Sequence, residues 1–163
     1  FLSARSCRGR LLLTDTLQAL CPRIWLLDNT LGLGHVFLSR LADTALARGY
    51  DVILCPDPLE PERLEAVLLP EPGLGFLAAD QTFPAAEAYR HLRLDAVVPL
   101  SPEQKALVRR RRRESAQLLS AAEDSLARAK ALHDELEAVY RPHVNFEGLD
   151  LLTQEHILQL TGK

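Results

Sequence analysis

Apolar residues follow two different patterns along the chain. Up to about residue 100, short apolar runs alternate with turn residues, as they do in a sheet packed against helices. From residue 101 onward, apolar residues recur at spacings of three and four, which indicates helices. We therefore expect an α/β core over residues 1–100 and a helical region over residues 101–163 that packs on it, the two forming one domain.

The centre of the predicted core is a strand, a loop and a helix. RIWLLD, residues 23–28, is nearly continuously apolar, as expected of a strand covered on both faces. The next helix is predicted from about His35, with Gly49 as its C-cap, and DVILC, residues 51–55, forms the following strand. Strand, helix and strand in this order predict a right-handed crossover with parallel pairing.

Further apolar runs complete a mixed sheet. EAVLLP, residues 65–70, and LGFLAAD, residues 74–80, are joined by a turn too short for a crossover, so they should pair antiparallel. DAVVPL, residues 95–100, predicts the last strand. Near the start of the chain, TDTLQAL predicts a short helix with Thr14 as its N-cap.

The helical region begins with a strong start signal. In SPEQ, residues 101–104, serine takes the N-cap, proline the first helical position and glutamine the third. No helix breaker follows before Pro142, which allows one long helix or two in series. A last helix over residues 149–160 should fold back as a hairpin and cover an apolar seam on the first. The seam consists of Leu119, Ala122, Leu126, Ala129, Leu132, Leu136 and Val139.

The loop after the first core strand has the layout of a phosphate-binding loop. A working P-loop has the pattern GxxxxGK[ST], in which backbone N–H groups and the lysine bind phosphate and the hydroxyl binds Mg²⁺. Residues 29–36 are NTLGLGHV, so asparagine replaces the first glycine, histidine the lysine and valine the hydroxyl. The candidate nucleotide-binding or phosphate-binding residues are Asn29, Thr30, Gly32, Gly34, His35 and Val36.

These replacements weaken the binding of a triphosphate. A charge-assisted hydrogen bond contributes about 1.5–3 kcal/mol, and the Mg²⁺ ligand is lost together with it. The N–H groups at the start of the helix remain as a generic anion site. Three interpretations stay open: ATP hydrolysis, low-affinity binding of phosphate or of ATP with Mg²⁺, and a purely structural turn, which the substitutions favour.

Segments on both sides of the loop carry a family resemblance. They are FLSARS and DTL at the start, then RGYDVILCP, LEAVLLPEPGLGFLAAD and DQTFP, and finally ALHDELEAVY with NFEGLD. In this order they resemble the second half of a largely uncharacterised bacterial family with two tandem P-loop ATPase-like domains, over nearly the whole chain. DQTFP is similar to the family's D-G-T-x-P-H, with Asp80, Thr82 and Pro84 matching and Gln81 and Ala85 differing.

The resemblance implies a three-layer α/β/α sandwich of the P-loop NTPase type and a partner P-loop domain. Family members usually have G-x-P-G-T-G-K-[ST], and this chain departs from it at Asn29, His35 and Val36. Two carboxylates are the catalytic candidates: Asp80, at a strand end, for the metal-bound water, and Glu71 as a base. Without the hydroxyl to complete a metal site, solvation or the capping of turns is the simpler role for both.

A run of arginines is the sharpest charge feature. It consists of Arg109, Arg110, Arg111, Arg112 and Arg113. On a helix these side chains point in all directions, since only residues three or four apart share a face. The run can contact phosphates of a nucleic acid or of a nucleotide on a neighbouring domain, but no aromatic residues accompany it for base stacking. Solvation and pairing with nearby acids is the favoured interpretation, and nucleic acid is not the expected partner.

Composition limits the alternatives further. A net charge of −3 gives no general attraction to nucleic acid or to an anionic membrane, and no apolar run approaches the ~20 residues needed to cross a bilayer. Cys7, Cys21 and Cys55 are widely spaced, which argues against a disulfide framework or a zinc site and for the cytoplasm. No metal site is expected from the histidines. The absence of methionine, even at position 1, suggests a piece of a longer chain.

These observations lead to one hypothesis for the function and one rival. The chain is expected to be a degenerate, non-catalytic P-loop NTPase-like domain, the structural or regulatory half of a larger ATPase, beside a partner P-loop domain or another copy. The active half would bind ATP, and the arginine run would lend it a positive charge. The rival is an ATPase or small-molecule kinase with an atypical P-loop, but its only internal lysines, Lys105 and Lys130, lie far along the chain.

Overall fold

The computed structural model describes residues 2–78 and 87–162, and its first half is a mixed α/β fold, as predicted. Two strands, β1 (Ser3–Ser6) and β2 (Gly9–Leu12), form an antiparallel hairpin that leads into α1 (Thr14–Leu20). The main sheet contains β3 (Arg23–Leu27), β4 (Ile53–Pro56), β5 (Leu64–Leu69), β6 (Leu74–Ala78) and β7 (Arg90–Leu92), and α2 (Leu33–Ala47) connects β3 to β4.

The five strands of the main sheet lie in the order β4–β5–β6–β3–β7. β3 pairs parallel with β6 and β7, whereas β5 pairs antiparallel with β4 and β6. The predicted antiparallel pairing of β5 and β6 is confirmed. Direct parallel pairing of the strands on either side of α2 is wrong, because β5 and β6 lie between β3 and β4, although β3 and β4 run in the same direction.

Two predicted boundaries are also wrong. The last strand is β7, and residues 94–97, which include the start of the expected strand, form a short 3₁₀ helix instead. In α1 the N-cap position falls on Leu13, and the Thr14 hydroxyl donates to the carbonyl of Leu12. The 3₁₀ turn places the Asp95 carboxylate against the loop between β3 and α2.

The end of α2 follows the sequence signal. Gly49 comes directly after the C-cap residue and has φ +80°, the left-handed conformation that glycine adopts without strain. Its N–H donates to the carbonyl of Leu46 at 2.9 Å, and the N–H of Tyr50 donates to that of Ala45 at 3.1 Å. The last carbonyls of α2 are thereby satisfied, and the chain turns back toward β4.

The buried apolar residues of the sheet divide between its two faces. Neighbouring residues of a strand point to opposite faces, so β3, β5 and β6 contribute to both sides. α1 covers one side and α2 covers the other. One cluster contains Leu2, Leu17, Cys21, Ile24, Leu26, Cys55, Ala66, Leu68 and Leu77, and the other contains Leu27, Leu38, Ala42, Val67 and Ala78.

The helical region consists of one long helix and a shorter one. α3 (Pro102–Tyr140) continues without a break for 39 residues, and α4 (Phe146–Thr161) follows after a 3₁₀ turn. Ser101 caps α3 as predicted, since its hydroxyl accepts the N–H of Gln104 while the Gln104 side chain accepts the N–H of Ser101. Within the described residues, no helix is both long and apolar enough to span a bilayer.

The predicted packing of this region as a hairpin is wrong. α4 does not pack along α3, neither helix has a buried residue, and seam residues such as Leu132 and Leu136 are more than half exposed. Only one side of the first half of α3 approaches the core, where Val108 and Leu119 are half-buried and Glu123 pairs with Arg5 at 2.5 Å. The periodicity correctly indicated an apolar face, but it does not specify what covers that face.

Candidate functional site

The predicted phosphate-binding loop connects β3 to α2, and local structure favours glycine at both Gly32 and Gly34. Gly32 takes the N-cap position of α2 with φ +71°, a conformation that favours glycine. Gly34 is buried, and a Cβ there would lie 2.8 Å from Asn29 Oδ1 and 3.2 Å from Ala78 Cβ. The glycine spacing is therefore explained by local structure alone and does not by itself indicate a ligand.

The Asn29 side chain accepts a hydrogen bond from one backbone N–H group of this segment. Its Oδ1 accepts the N–H of Gly34, near the start of α2, at 3.0 Å. Its backbone carbonyl accepts the N–H of Gly32 at 3.3 Å. In a working P-loop a glycine stands in place of Asn29, and the N–H groups close on phosphate. The replacement thus supplies an acceptor from within the chain.

The Asp95 carboxylate accepts hydrogen bonds from two further N–H groups of the loop. One carboxylate oxygen accepts the N–H of Thr30 at 2.9 Å, and the other accepts that of Leu31 at 3.2 Å. Consecutive backbone N–H groups that converge on one anionic group are the arrangement by which such loops hold a bound anion. The Asp95 carboxylate therefore satisfies both N–H groups from within the protein. The sequence analysis missed this role, because nothing in DAVVPL distinguishes Asp95 from the first residue of a strand.

The two residues that replace the lysine and the hydroxyl lie at the start of α2. His35 is half-buried and faces a cleft beside the loop. Val36 is exposed and has no polar side-chain atom. The predicted site residues lie in the loop and in the first turn of α2, and the side chains of His35 and Val36 do not provide the phosphate and Mg²⁺ ligands of a working P-loop.

The cleft beside the loop has a volume of about 150 Å³. Asn29, Gly32 and His35 contribute to it from the loop and from α2. The charged side chains that line it contain three carboxylates and two guanidinium groups, so they supply no excess of positive charge for a triphosphate. The lining residues from other elements are Arg10, Asp57, Glu60, Arg63, Leu64, Glu65 and Ala78.

The two arginines of the cleft are paired with carboxylates. Glu65 is buried, accepts the Ser3 hydroxyl at 2.9 Å and forms an ion pair with Arg10. Arg63 lies 3.0 Å from Glu60 on the exposed rim. A signal for the buried pair existed in the sequence, because Glu65 interrupts an otherwise apolar strand, and buried carboxylates are nearly always paired.

A pair of polar side chains, Asp28 and His91, lies where β3 ends. Asp28 Oδ1 is 2.7 Å from Nε2 of His91 on β7, and the Asp28 N–H donates to the carbonyl of Leu92. The pair joins the two neighbouring strands directly before the loop begins. This pair was not predicted from the sequence.

Glu71 is not near the loop, so its predicted role as a base is wrong. It lies in the exposed turn between β5 and β6, at the end of the sheet where Leu74 pairs with Arg23. The length of β3, about 17 Å at 3.3 Å per residue, separates that turn from the loop. The other catalytic candidate falls outside the described residues, and so does the motif around it: Asp80, Gln81, Thr82, Pro84 and Ala85.

One residue of the arginine run reaches the loop. Arg112 donates to the Thr30 hydroxyl in a long hydrogen bond of 3.5 Å. Arg110 and Arg111 instead pair with Glu114 on the exposed side of α3, at 2.8 and 3.2 Å. These side chains point to different sides of the helix, as the sequence analysis predicted for consecutive residues.

One group of potential metal ligands lies elsewhere on α3. His133 Nδ1 is 3.9 Å from Asp134 Oδ1 and 4.0 Å from Glu137 Oε2. Lys130 forms a hydrogen-bonded ion pair with Asp134, which lowers the pKa of that carboxyl and raises the pKa of the lysine. Because the group is open to solvent and Asp134 already pairs with Lys130, we assign no metal to it.

The two buried cysteines are poor nucleophiles. Burial raises the pKa of the Cys55 thiol and that of the Cys21 thiol. A thiol reacts through its thiolate form, which a raised pKa makes scarcer. Both side chains belong to the same apolar cluster under the sheet, so they fill space in the core.

No protein-family model, no curated protein and no solved structure matches this chain. The functional assignment therefore depends on the geometry of the loop and the cleft. That geometry shows a strand, a glycine-containing loop and a helix, with the N–H groups of Thr30, Leu31 and Gly34 bonded inside the protein.

Proposed function

We propose that this chain is a degenerate P-loop NTPase-like domain that does not catalyse hydrolysis and serves as the structural or regulatory half of a larger ATPase. The observation that carries the proposal is that backbone N–H groups of the loop are already hydrogen-bonded within the protein. Asp95 and Asn29 accept N–H groups that a phosphate would need, in the place between a strand and a helix where a P-loop lies.

The hydrogen bonds between the loop and Asp95 oppose nucleotide binding for an electrostatic reason. A phosphate that approached Thr30 and Leu31 would have to displace the Asp95 carboxylate or lie beside a like charge. The two guanidinium groups that line the cleft, those of Arg10 and Arg63, are already paired with Glu65 and Glu60. No lysine lines the cleft to offset this repulsion.

The finer fold assignment, a three-layer sandwich of the P-loop NTPase type, belongs to the same proposal. It is supported by the two apolar clusters, which place α1 and α2 on opposite faces of the sheet. It is supported also by the position of the loop at the carboxyl end of β3, a central strand, where ligands bind in open α/β sheets.

The proposed partner is a P-loop domain that binds ATP itself. The contact between Arg112 and Thr30 supports a regulatory role, because it joins α3 to the loop at a single point. A partner that moves α3 would change the hydrogen bonding of the loop. A change in the loop would in turn alter the contact between Thr30 and Arg112 on α3. In this proposal the domain transmits a conformational signal and performs no chemistry.

Thermal unfolding with and without millimolar Mg-ATP or Mg-ADP tests the proposal. A ligand at one hundred times its dissociation constant stabilises a protein by about 2.7 kcal/mol, and each kcal/mol raises Tm by about 2–4 °C at this size. The unmodified chain is expected to show no shift. The His35→Lys/Val36→Ser variant restores the two missing ligands, and adding Asp95→Ala opens the loop, so the triple variant should gain the shift.

The matched control replaces a different carboxylate. Asp43→Ala, on the exposed middle of α2, combined with His35→Lys/Val36→Ser removes the same charge without opening the loop. It should not reach the shift of the Asp95 triple variant. A shift in the unmodified chain would contradict the proposal and favour an ATPase or small-molecule kinase with an atypical P-loop. No shift in the triple variant would show that the loop is not a P-loop scaffold.

A further inference from the structure

The long helix α3 rests on the core through partly exposed side chains. None of its residues, all of which the structure describes, is buried. Val108, Leu119 and Glu123 are half-buried, and at 3.6 residues per turn they lie along one side of the helix, the side that faces the core. Elements with few buried contacts open at a lower free energy than the rest of a protein. The docking of α3 on the core is therefore weak compared with the packing inside the sheet.

Two polar contacts connect this side of α3 to separate parts of the core. The first joins Glu123 to Arg5 of β1 at 2.5 Å, with both side chains about one quarter exposed. Glu123 Oε2 also lies 3.7 Å from the position that a Cβ on Gly9 would take, so the helix passes over the start of β2. The second contact joins Arg112 to the Thr30 hydroxyl at 3.5 Å. One helix is therefore connected both to the β1–β2 hairpin and to the loop between β3 and α2.

The two contacts are linked because the helix between them is continuous. They lie about three turns apart, which is roughly 16 Å along the axis, and α3 has no break between them. Ser101 caps the start of the helix, and Arg110 and Arg111 pair with Glu114 along it. These interactions lie within α3 and its cap, so they stabilise the helix without help from the core. A displacement at one contact is therefore transmitted to the other.

We propose that α3 is a conformational switch with a docked and an undocked position, which couples the β1–β2 hairpin to the loop between β3 and α2. In the docked position the pair of Glu123 with Arg5 holds Arg112 against Thr30. When that pair breaks, the helix moves away from the core as a unit and Arg112 leaves the loop. The loop then loses a contact at Thr30, and the neighbouring N–H groups bonded to Asp95 open more often.

The coupling acts in both directions, because both contacts exist only in the docked position. A change in the loop that removes the Arg112 contact also weakens the docking of Glu123 on the hairpin. As a route of regulation the switch rests on the proposed function, but neither of its contacts involves a nucleotide. Its test therefore uses no nucleotide, and a negative result is distinct from a negative result with Mg-ATP.

The distance between two spin labels, measured by pulsed electron paramagnetic resonance, reports docking. The labels are attached at Asp43→Cys on α2 and at Asp124→Cys on α3, both at exposed positions. Cys7→Ser removes the half-buried cysteine from this background, and the other two cysteines are buried. Amide hydrogen exchange of Thr30 and Leu31, followed by NMR, reports the loop. In this background we expect one dominant, narrow distance and slow exchange at both amides.

Charge reversal at the hairpin contact provides the main test. Arg5→Glu and Glu123→Arg each place two like charges together in the docked position. Each variant should broaden the distance distribution and speed the exchange of Thr30 and Leu31 by about three-fold or more. The double variant Arg5→Glu/Glu123→Arg restores opposite charges, so it should restore the narrow distance and the slow exchange. Unchanged distances in both single variants would overturn the proposal. A double variant that recovers neither property, or a changed distance with unchanged exchange, would also overturn it.

A change at the loop contact tests the reverse direction. Arg112→Ala should speed the exchange at Thr30 and should also broaden the distance distribution. The matched control Arg113→Ala removes the next exposed arginine of the helix and should change neither. The fluorescence of Trp25, the one tryptophan of the chain, should stay unchanged in every variant because β3 remains folded. Equal effects of Arg112→Ala and Arg113→Ala would overturn the proposal. A change in Trp25 fluorescence that accompanies every broadened distance would do the same, because helix and core would then open together.

Discussion

The α/β core and the helical region differ in how they use their apolar residues. In the core, leucines such as Leu27 and Leu38 are completely buried, and two helices cover the two faces of one sheet. In the helical region neither α3 nor α4 buries a single residue, although both carry leucine at helical spacing. Apolar residues therefore form a closed core in one region and an open surface in the other.

The difference shows what the helical pattern can and cannot specify. A sheet has two faces, and each of its apolar residues finds a neighbour as soon as the strands pair and the connecting helix packs back. A long helix has an apolar face but no built-in partner, so the face can be covered by its own chain, by another copy or by another protein. The first region buries its apolar residues through its own contacts, whereas the second leaves them exposed in the single chain.

The largest expected effect comes from removing equal side chains from the two regions. Leu38→Ala should destabilise the protein by about 2–5 kcal/mol, because it leaves a cavity between α2 and the sheet where Leu38 is fully buried. Leu132→Ala, on α3, should change the free energy of unfolding by less than about 0.5 kcal/mol in the monomer. Urea unfolding at low protein concentration measures both. A large loss in Leu132→Ala would contradict the contrast between the regions.

A smaller effect should come from breaking one ion pair in each region. Arg10→Met removes the guanidinium from the buried Glu65 carboxylate, which keeps the Ser3 hydroxyl as a donor, and this should cost about 3 kcal/mol. Lys130→Met breaks the exposed pair with Asp134 and should have no measurable effect on unfolding. Arg10→Lys keeps the charge and should lose less than Arg10→Met. Equal losses in Arg10→Met and Lys130→Met would mean that Glu65 is not effectively buried.

Much of the core could be predicted from the sequence because its signals are local. The turn at residues 70–73 is too short for a crossover, so β5 and β6 had to be antiparallel. Gly49 ends α2 because it adopts a left-handed conformation that side chains disfavour. The position of β4 was not predictable in the same way. It depends on which strand edges remain open once β3 has paired with β6 and β7, which is a property of the whole sheet.

The candidate site was predicted only in part. The loop and its glycines were found because their spacing follows from backbone geometry between a strand and a helix. The contact that decides how the loop behaves joins Asp95 to Thr30 and Leu31, more than sixty residues away in the sequence. No local pattern marks such a contact. The prediction for Glu71 was wrong for a related reason. The sequence alone does not show at which end of the sheet a carboxylate next to a strand lies.

The smallest effect concerns the junction between the two regions. Ser101→Ala removes the hydroxyl that accepts the N–H of Gln104, and the loss of such a cap costs about 1 kcal/mol. Hydrogen exchange should quicken in the first turn of α3 and remain unchanged in the sheet. The matched control is Ser115→Ala, an exposed serine inside the same helix, which should stabilise α3 slightly because alanine has the higher helix propensity.

The same cap should depend on pH in a predictable direction. The Ser101 hydroxyl donates to the Glu103 carboxylate at 2.7 Å, and this hydrogen bond lowers the pKa of Glu103 from its ordinary value of 4.5. A carboxyl whose pKa is lowered by folding stabilises the folded state above its ordinary pKa, and the contribution disappears as the pH falls through the lowered pKa. The stability difference between the unmodified chain and Ser101→Ala should therefore shrink when thermal unfolding is repeated well below pH 4.5. It should not vanish, because the hydrogen bond from the Gln104 N–H does not titrate. A difference that grows in acid would show that Glu103 opposes the cap.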